Sequence, residues 1–294
     1  MRPAMAGHLA MLLFSALIAG SFALGVLAAN EIEPVVLNTV RFWIAVAVVG
    51  VAAWLTTGFP RAAFAAKWRY PLLAFFFIVY FVLMFEGLKT APAVSAAAVF
   101  TLTPIIAAGF GWVLLRQRLT PRIALALAIG GVGAVWVIFR ADFQALLAFE
   151  IGRGELIYFV GCISHAFYTP LVAKLNRGEP AVVFTFGTLL SGAVMLTIWS
   201  WPDLIATDWA NLPGIVWVTI LYTAIFASAT TFTLLQFATL RLPSSKVMAY
   251  TYLTPSWVIV WLLAMGQSGP PAMVLGGVAL TIAALVLLLK EEAG

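Results

Sequence analysis

The chain has 294 residues, of which 64% are apolar and 9% charged, whereas soluble domains carry about a quarter of their residues charged. This balance excludes a water-soluble core and leaves too little polar chain for a soluble catalytic domain. A formal net charge of +5 would suit an anionic partner, but the basic residues fall in short loops between apolar runs, where they carry orientation and imply no nucleic acid.

Crossing a hydrocarbon layer roughly 30 Å thick takes about twenty apolar residues. Ten runs qualify: 8–28, 35–57, 69–88, 91–114, 121–139, 155–174, 181–201, 212–237, 243–264 and 270–290. They predict an all-α membrane protein of ten transmembrane helices. The first run has only Arg2 ahead of it and no clear small-residue cleavage site before Glu31 and Glu33, so it is expected to be a lasting helix rather than a signal peptide. Arg41 opens the second run, where its long side chain can snorkel to the interface or attract an anionic solute. Phe77, Tyr80 and Met84 share a face of the third, and Glu86 stands three residues before Lys89, a spacing that favours a local ion pair over a coupling carboxylate.

The fourth run begins at small residues, Ala93 and Ser95 to Ala98, and Gly130, Gly131 and Gly133 do the same service in the fifth; both let helix backbones approach closely. Cys162, the single cysteine, excludes an intrachain disulfide and reads as a small buried hydrophobe. His165, midway along the sixth run, can bind a carboxylate, take up a proton, or hydrogen-bond to Ser164 or Tyr168. In the eighth run Tyr222, Phe226, Thr230 and Thr233 line up. Tyr250, Thr254, Trp257 and Trp261 follow i, i+4, i+7, i+11 in the ninth, and the matching face of the fourth is Val99, Thr103, Ile106 and Phe110. Trp43, Trp54, Trp112, Trp199 and Trp201, near span ends, fit an interfacial belt.

The chain is also written twice. Pro92 and Pro104 stand twelve residues apart, the second closing Leu102, Thr103, Pro104; Pro243 and Pro255, with Leu253, Thr254, Pro255, repeat this 151 residues later. A second echo sets Glu33, Pro34 and Val36 against Glu179, Pro180 and Val182. The expected division is 1–140 and 141–294, five spans each. An odd number of spans makes the second repeat enter the membrane in the opposite sense, the inverted arrangement of many alternating-access carriers. Twelve of the sixteen basic residues then share one side with both termini: Arg2, Arg61, Lys67, Arg69, Arg116, Arg118, Arg122, Lys174, Arg177, Arg241, Lys246 and Lys290. Lys89, Arg140 and Arg153 fall on the other. The positive-inside rule makes the first side, and the termini, cytoplasmic. Pro104 and Pro255 each remove a donor and clash with a carbonyl four residues earlier, at Phe100 and Thr251, so kinks are expected there. Thr101, Thr103, Thr251 and Thr254 can supply hydroxyls to the freed carbonyls.

The stretch Leu88 to Ile138, with Lys89, Thr90, Ala91, then Leu102, Thr103, Pro104, then Arg118, Leu119, Thr120, Pro121, then Gly130, Gly131, Val132, Gly133, resembles the repeat of the drug/metabolite transporter superfamily. Ten helices with both ends inside are similar to its EamA branch, and to the aromatic amino-acid exporters there. Arg116 and Gln117, and Gly266 and Gln267, depart from the glycine and acidic residue usual ahead of such segments, a change expected to touch loop contacts. The resemblance implies a multi-pass carrier of a bacterial-type inner membrane that exports amino acids, aromatic and other apolar ones preferred, by alternating access through a central cavity walled by helices 3, 4, 8 and 9. It makes Phe77, Tyr80, Met84, Thr103, His165, Tyr168, Tyr222, Phe226, Tyr250, Thr254 and Trp257 candidates for that wall, Pro104 and Pro255 hinges, and Glu86, Lys89 and Arg41 coupling or charge-pair groups. Aromatic and thioether groups with interspersed hydroxyls suit an amphipathic solute. The expected partners are a small-molecule substrate and the lipid bilayer, with no obligatory protein partner, cofactor or metal. Export of drugs or of other small or lipid-linked metabolites through the same architecture is the alternative; an intramembrane enzyme would need clustered carboxylates, metal ligands or an activated nucleophile.

Overall fold

The computed structural model describes residues 3–118, 120–148 and 150–289. Arg2, Leu119 and Lys290, which the sequence reading used, lie outside them. Among the described residues ten long helices run along the chain, besides short turns at Arg61–Phe64 and Phe143–Leu147: α1 (Ala4–Ala28), α2 (Pro34–Thr56), α3 (Arg69–Leu88), α4 (Ala93–Leu115), α5 (Pro121–Ile138), α6 (Arg153–Leu175), α7 (Ala181–Ala206), α8 (Gly214–Thr239), α9 (Ser244–Ala264) and α10 (Val274–Leu289). The first nine are long and apolar enough to cross a membrane and α10 is a shorter apolar helix, so the chain is a ten-helix membrane protein.

Proline sets where several of these helices begin. Pro92, Pro180, Pro213 and Pro243 occupy the position just before α4, α7, α8 and α9, extended at ψ between 142° and 147°. Pro34 and Pro121 sit in the first turn of α2 and α5, where a missing N–H leaves no bond unmade. Thr120 caps α5 by accepting from the Ile123 N–H at 3.4 Å. α7 departs from expectation: it continues through Pro202 to Ala206, five residues beyond the predicted end. A proline so near a helix terminus forfeits a single hydrogen bond, to a carbonyl on Ile198, and leaves the following turn free to form.

The packing exchanges the two halves. α3 lies along α6 as α8 lies along α1, while α2 pairs with α7 and α5 with α10. The first half of α4 contacts the second half of α9, and the second half of α4 contacts the first half of α9. Only antiparallel helices meet that way, so the halves run in opposite senses, as an inverted repeat requires. The alternation of helices also sorts the charges. Glu31, Glu33, Glu86, Asp142, Glu150, Glu155, Asp203 and Asp208 gather at one end of the bundle, and Glu179 is the acidic residue described at the other, among Arg61, Lys67, Arg69, Arg116, Arg118, Arg122, Lys174, Arg177, Arg241 and Lys246. The two are called the acidic and basic ends below.

With no hydrophobic effect between helices in lipid, close backbone approach supplies the cohesion. α5 and α10 touch at Gly133 and Gly277, where a β-carbon on either would meet the carbonyl oxygen of the other. Gly87 and Gly154 make the same reciprocal contact between α3 and α6. A backbone carbonyl cannot swing aside as a side chain can. Gly133→Ala should therefore destabilise the detergent-solubilised protein by about 1–3 kcal/mol in thermal unfolding, whereas Gly276→Ala, with open space where its methyl would go, should stay within about 0.5 kcal/mol of the parent.

Candidate functional site

The site begins where α4 and α9 lose their regular hydrogen bonding. α4 is helical over Ala93–Phe100 and again from Thr103, with Thr101 and Leu102 bonded three residues back, to Ala98 and Val99. Pro104 takes the donor from the Phe100 carbonyl, and the Thr103 hydroxyl replaces it at 2.7 Å. In α9 the turn Tyr250–Leu253 is 3₁₀, tightened just before Thr254 and Pro255. The Thr251 hydroxyl lies 3.3 Å from that of Thr103, so the two breaks touch across the repeats. Thr254 does not serve the freed carbonyl as expected: its hydroxyl is buried and without a protein partner.

α8 carries a third irregularity, a π-turn over Ile225–Thr230, in which the Thr230 hydroxyl donates to the Ile225 carbonyl at 2.9 Å. Such turns insert an extra residue and are frequent at functional sites. Arg41 reaches this turn from α2. Its Nε and Nη2 donate to the Ser228 hydroxyl at 3.0 and 2.8 Å, Nη2 also to the Ala227 carbonyl at 3.3 Å, and Nη1 to Asn38 Oδ1 at 3.1 Å. The guanidinium rests over the Phe81 ring, 3.8 Å from its centroid. Arg41 is thus 0% exposed and does not snorkel; α8 offers it three neutral hydrogen bonds, Asn38 of α2 a fourth, and α3 an aromatic face in place of water.

Between these elements Phe77, Tyr80, Phe81, Phe100, Tyr158, His165, Tyr168 and Phe232 form a closed aromatic nest, none more than 1% exposed. His165 lies 4.3 Å from the Tyr80 ring and 5.5 Å from Phe77, and Phe77 lies 4.6 Å from Tyr168 and against Phe232. Few polar atoms enter. Tyr158 donates to the Tyr80 oxygen at 3.1 Å and Gln236 Nε2 to the Tyr168 oxygen at 2.9 Å. His165 Nδ1 and Gln236 Oε1 are buried there with no protein partner. His165 bonds to neither expected neighbour, since Ser164 turns to the Phe76 carbonyl at 2.7 Å.

The structure therefore brings Phe77, Tyr80, His165 and Tyr168 together, with Thr103 at the helix breaks and Met84 buried further along α3. It takes the α8 and α9 faces elsewhere. Tyr250 bonds to His8 Nδ1 at 3.1 Å, Trp257 Nε1 approaches Ser15 at 3.3 Å, and Tyr222 donates to the Leu17 carbonyl at 2.9 Å, so these three pack on α1. Phe226 is 44% exposed, its ring 5.3 Å from that of Tyr222, and is no part of the nest. Glu86 pairs locally with Lys89 at 3.0 Å, and Glu33 joins at 3.4 Å. Burial would lower the Lys89 ammonium, but the two carboxylates outweigh it and hold it above its ordinary value. The nest residues missed in the sequence are Phe81, Phe100, Tyr158, Phe232 and Gln236. Tyr158 was within reach, because Tyr158, Cys162 and His165 follow i, i+4, i+7.

The two ends differ. At the acidic end a cavity of about 390 Å³ opens between the repeats, lined by α1, the start of α4, the ends of α5 and α9 and the start of α10, among them Ala23, Ser95, Val137, Arg140 and Leu262. Beside it the Ser95 hydroxyl donates at 2.7 Å to Glu155, a carboxylate 3% exposed that the sequence reading left at a span boundary. A second cleft of about 610 Å³ lies among Glu31, Glu33, Lys89, Asp203 and Asn211. At the basic end the repeats are tied. Gln117 Oε1 accepts the Ser244 N–H at 3.1 Å, so this departure from the family pattern does make a loop contact, on α9. Arg69, fully buried, donates to Glu179 at 2.5 Å, to the Leu175 carbonyl at 2.6 Å and to the Ala66 carbonyl at 3.0 Å.

Burial alone would raise the Glu179 carboxyl, but the Arg69 hydrogen bond, the Arg177 N–H and the Arg69 charge hold it below the usual carboxylate value of 4.5. A depressed folded-state value stabilises above the unfolded one, so this contribution is complete above about pH 4.5 and lost as pH falls through the folded value. Removing one partner of a buried pair costs about 3 kcal/mol or more. Glu179→Gln should accordingly lower the melting temperature at pH 7, and the gap to the parent should close as pH falls below 4.5.

Comparison with known proteins places this geometry. Residues 5–139 and 152–290 each match the EamA-like transporter family. A curated relative from Bacillus subtilis (strain 168), the uncharacterized transporter YyaM, is 25% identical over 203 residues, 69% of this chain and 67% of its own. One crystal structure covers 98% of this chain and 96% of its own at 21% identity with a TM-score of 0.73, a shared fold.

Proposed function

The chain belongs to the EamA-like transporter family, and on that premise we propose that it is a secondary carrier exporting amino acids, aromatic and other apolar ones foremost, by alternating access. The observation that carries the reading is the closed aromatic nest beside the touching breaks of α4 and α9. Its rings suit an apolar side chain, and its buried His165 Nδ1 and Gln236 Oε1, which no protein group satisfies, suit the polar end of a solute. Buried polar atoms seldom go without a partner unless function requires it.

In this reading the repeats are 1–140 and 141–294, and they rock about the paired breaks at Pro104 and Pro255. The basic end faces the cytoplasm, with both termini, in a bacterial-type inner membrane. The cavity at the acidic end is then the outer vestibule, and the Arg69–Glu179 and Gln117–Ser244 contacts close the inner side. The vestibule's lining of Ala23, Val26, Leu27, Val137 and Leu262 favours, as a second reading, a more apolar cargo such as a drug or a lipid-linked metabolite.

Counterflow in proteoliposomes tests the assignment. Vesicles loaded with unlabelled tryptophan, methionine or threonine should accumulate the labelled amino acid from outside, and absence of exchange for every amino acid would overturn the substrate class in favour of the apolar cargo. Replacing both prolines, Pro104→Ala with Pro255→Ala, should restore continuous helices and slow exchange at least about tenfold, a barrier increase near 1.4 kcal/mol, with little loss of thermal stability. Tyr80→Ala should weaken exchange of tryptophan more than that of threonine.

A further inference from the structure

We infer that Arg41 is the residue that receives the carboxylate of the transported solute, an inference that rests on the amino-acid reading above. Arg41 is wholly buried, and among the described residues it forms no ion pair. Two carboxylates at this end of the bundle, Glu33 and Glu86, are both engaged by Lys89. A guanidinium cannot shed its proton to escape burial, and neutral acceptors only partly replace what hydration gave it. The site therefore holds one positive charge without a counter-ion, and an anion is the chemistry that completes it.

The geometry names the kind of anion. Nε and Nη2 form the edge of the guanidinium that matches the two oxygens of a carboxylate, and here both point at one atom, the Ser228 hydroxyl oxygen, at 3.0 and 2.8 Å. One hydroxyl stands where two carboxylate oxygens would fit. Ser228 belongs to the π-turn of α8, the irregular element beside the nest, so a shift of that turn exchanges the hydroxyl for the incoming carboxylate without moving α2. The direction of the solute follows. Phe81, on which the guanidinium rests, packs 4.8 Å from Phe77 and 4.7 Å from Tyr80, so a carboxylate on Arg41 leaves the attached side chain among these rings.

The competing account is that Arg41 only pins the π-turn. The two separate in tryptophan counterflow challenged with indole-3-propionate and with indole-3-propionamide, which differ only in the carboxylate. The parent should be inhibited by the acid at least tenfold more potently than by the amide, and inhibition by both alike would overturn the inference even without a variant. Arg41→Gln should lose at least tenfold in tryptophan exchange together with the preference for acid over amide, while Arg41→Lys retains the preference and Ser228→Ala, which removes the tether and leaves the charge, preserves or strengthens it. A preference that survives in Arg41→Gln, or one that Ser228→Ala abolishes as fully, makes Arg41 a structural pin. Failure of the parent to exchange any amino acid is read before any competitor is added, and it overturns the amino-acid assignment and this inference with it.

Discussion

Inside a hydrocarbon layer a backbone carbonyl that loses its donor has no water to turn to, and this constraint shapes the centre of the molecule. Pro104 and Pro255 each free a carbonyl at the middle of a spanning helix. On α4 the Thr103 hydroxyl takes over the Phe100 carbonyl, and on α9 the chain tightens into a 3₁₀ turn instead. Repairs of both kinds narrow or bend a helix locally, so each break must be shielded from lipid. The two shield one another. Thr103 and Thr251 meet because α4 and α9 run antiparallel, with each first half against the other's second half.

From that crossing the rest of the architecture follows. Helices that bend at their centres cannot pack tightly along their whole length, and the regular contacts are made elsewhere, by α5 on α10 and α3 on α6 through reciprocal glycine–carbonyl approaches. The space left between bent helices is filled by rings, not by small residues, and rings can rotate out of one another's way without exposing a backbone group. A closed nest of that sort keeps its rings almost wholly buried. The polar atoms stranded within it mark where the packing alone is incomplete.

The fold was legible in the sequence because its causes are local. Span length, loop charge and the Leu-Thr-Pro echo each act within a few residues, and nine of the ten predicted spans both begin and end within four residues of the helices formed. The site was half legible. Tyr80, His165 and Tyr168 stood out as polar or aromatic groups in midspan, but the α8 face was misread: Tyr222 and Phe226 do lie side by side, 5.3 Å apart, yet Tyr222 turns to α1 and Phe226 outward, because periodicity gathers residues on a face without saying what that face meets. Arg41 was misplaced for a different reason. Its fate depends on Ser228, 187 residues away, and no local pattern distinguishes an arginine that snorkels from one that turns inward.

An inverted repeat also lets one half serve as a control for the other. Glu33 and Glu179 head the same motif in the two repeats, each just before the proline that opens or precedes a helix. At the basic end Glu179 is buried against Arg69, a residue at the start of α3. The start of α8 corresponds to it at the acidic end, and there Asn211, Leu212 and Pro213 offer Glu33 no cation, so a cleft stands open and Glu33 reaches the solvent beside Lys89. The same local sequence thus closes one face and leaves its counterpart open. Two like halves thus differ at this position by one arginine: Arg69 ties the repeats at the basic end, beside the Gln117–Ser244 contact, and the start of α8 carries no equivalent at the acidic end.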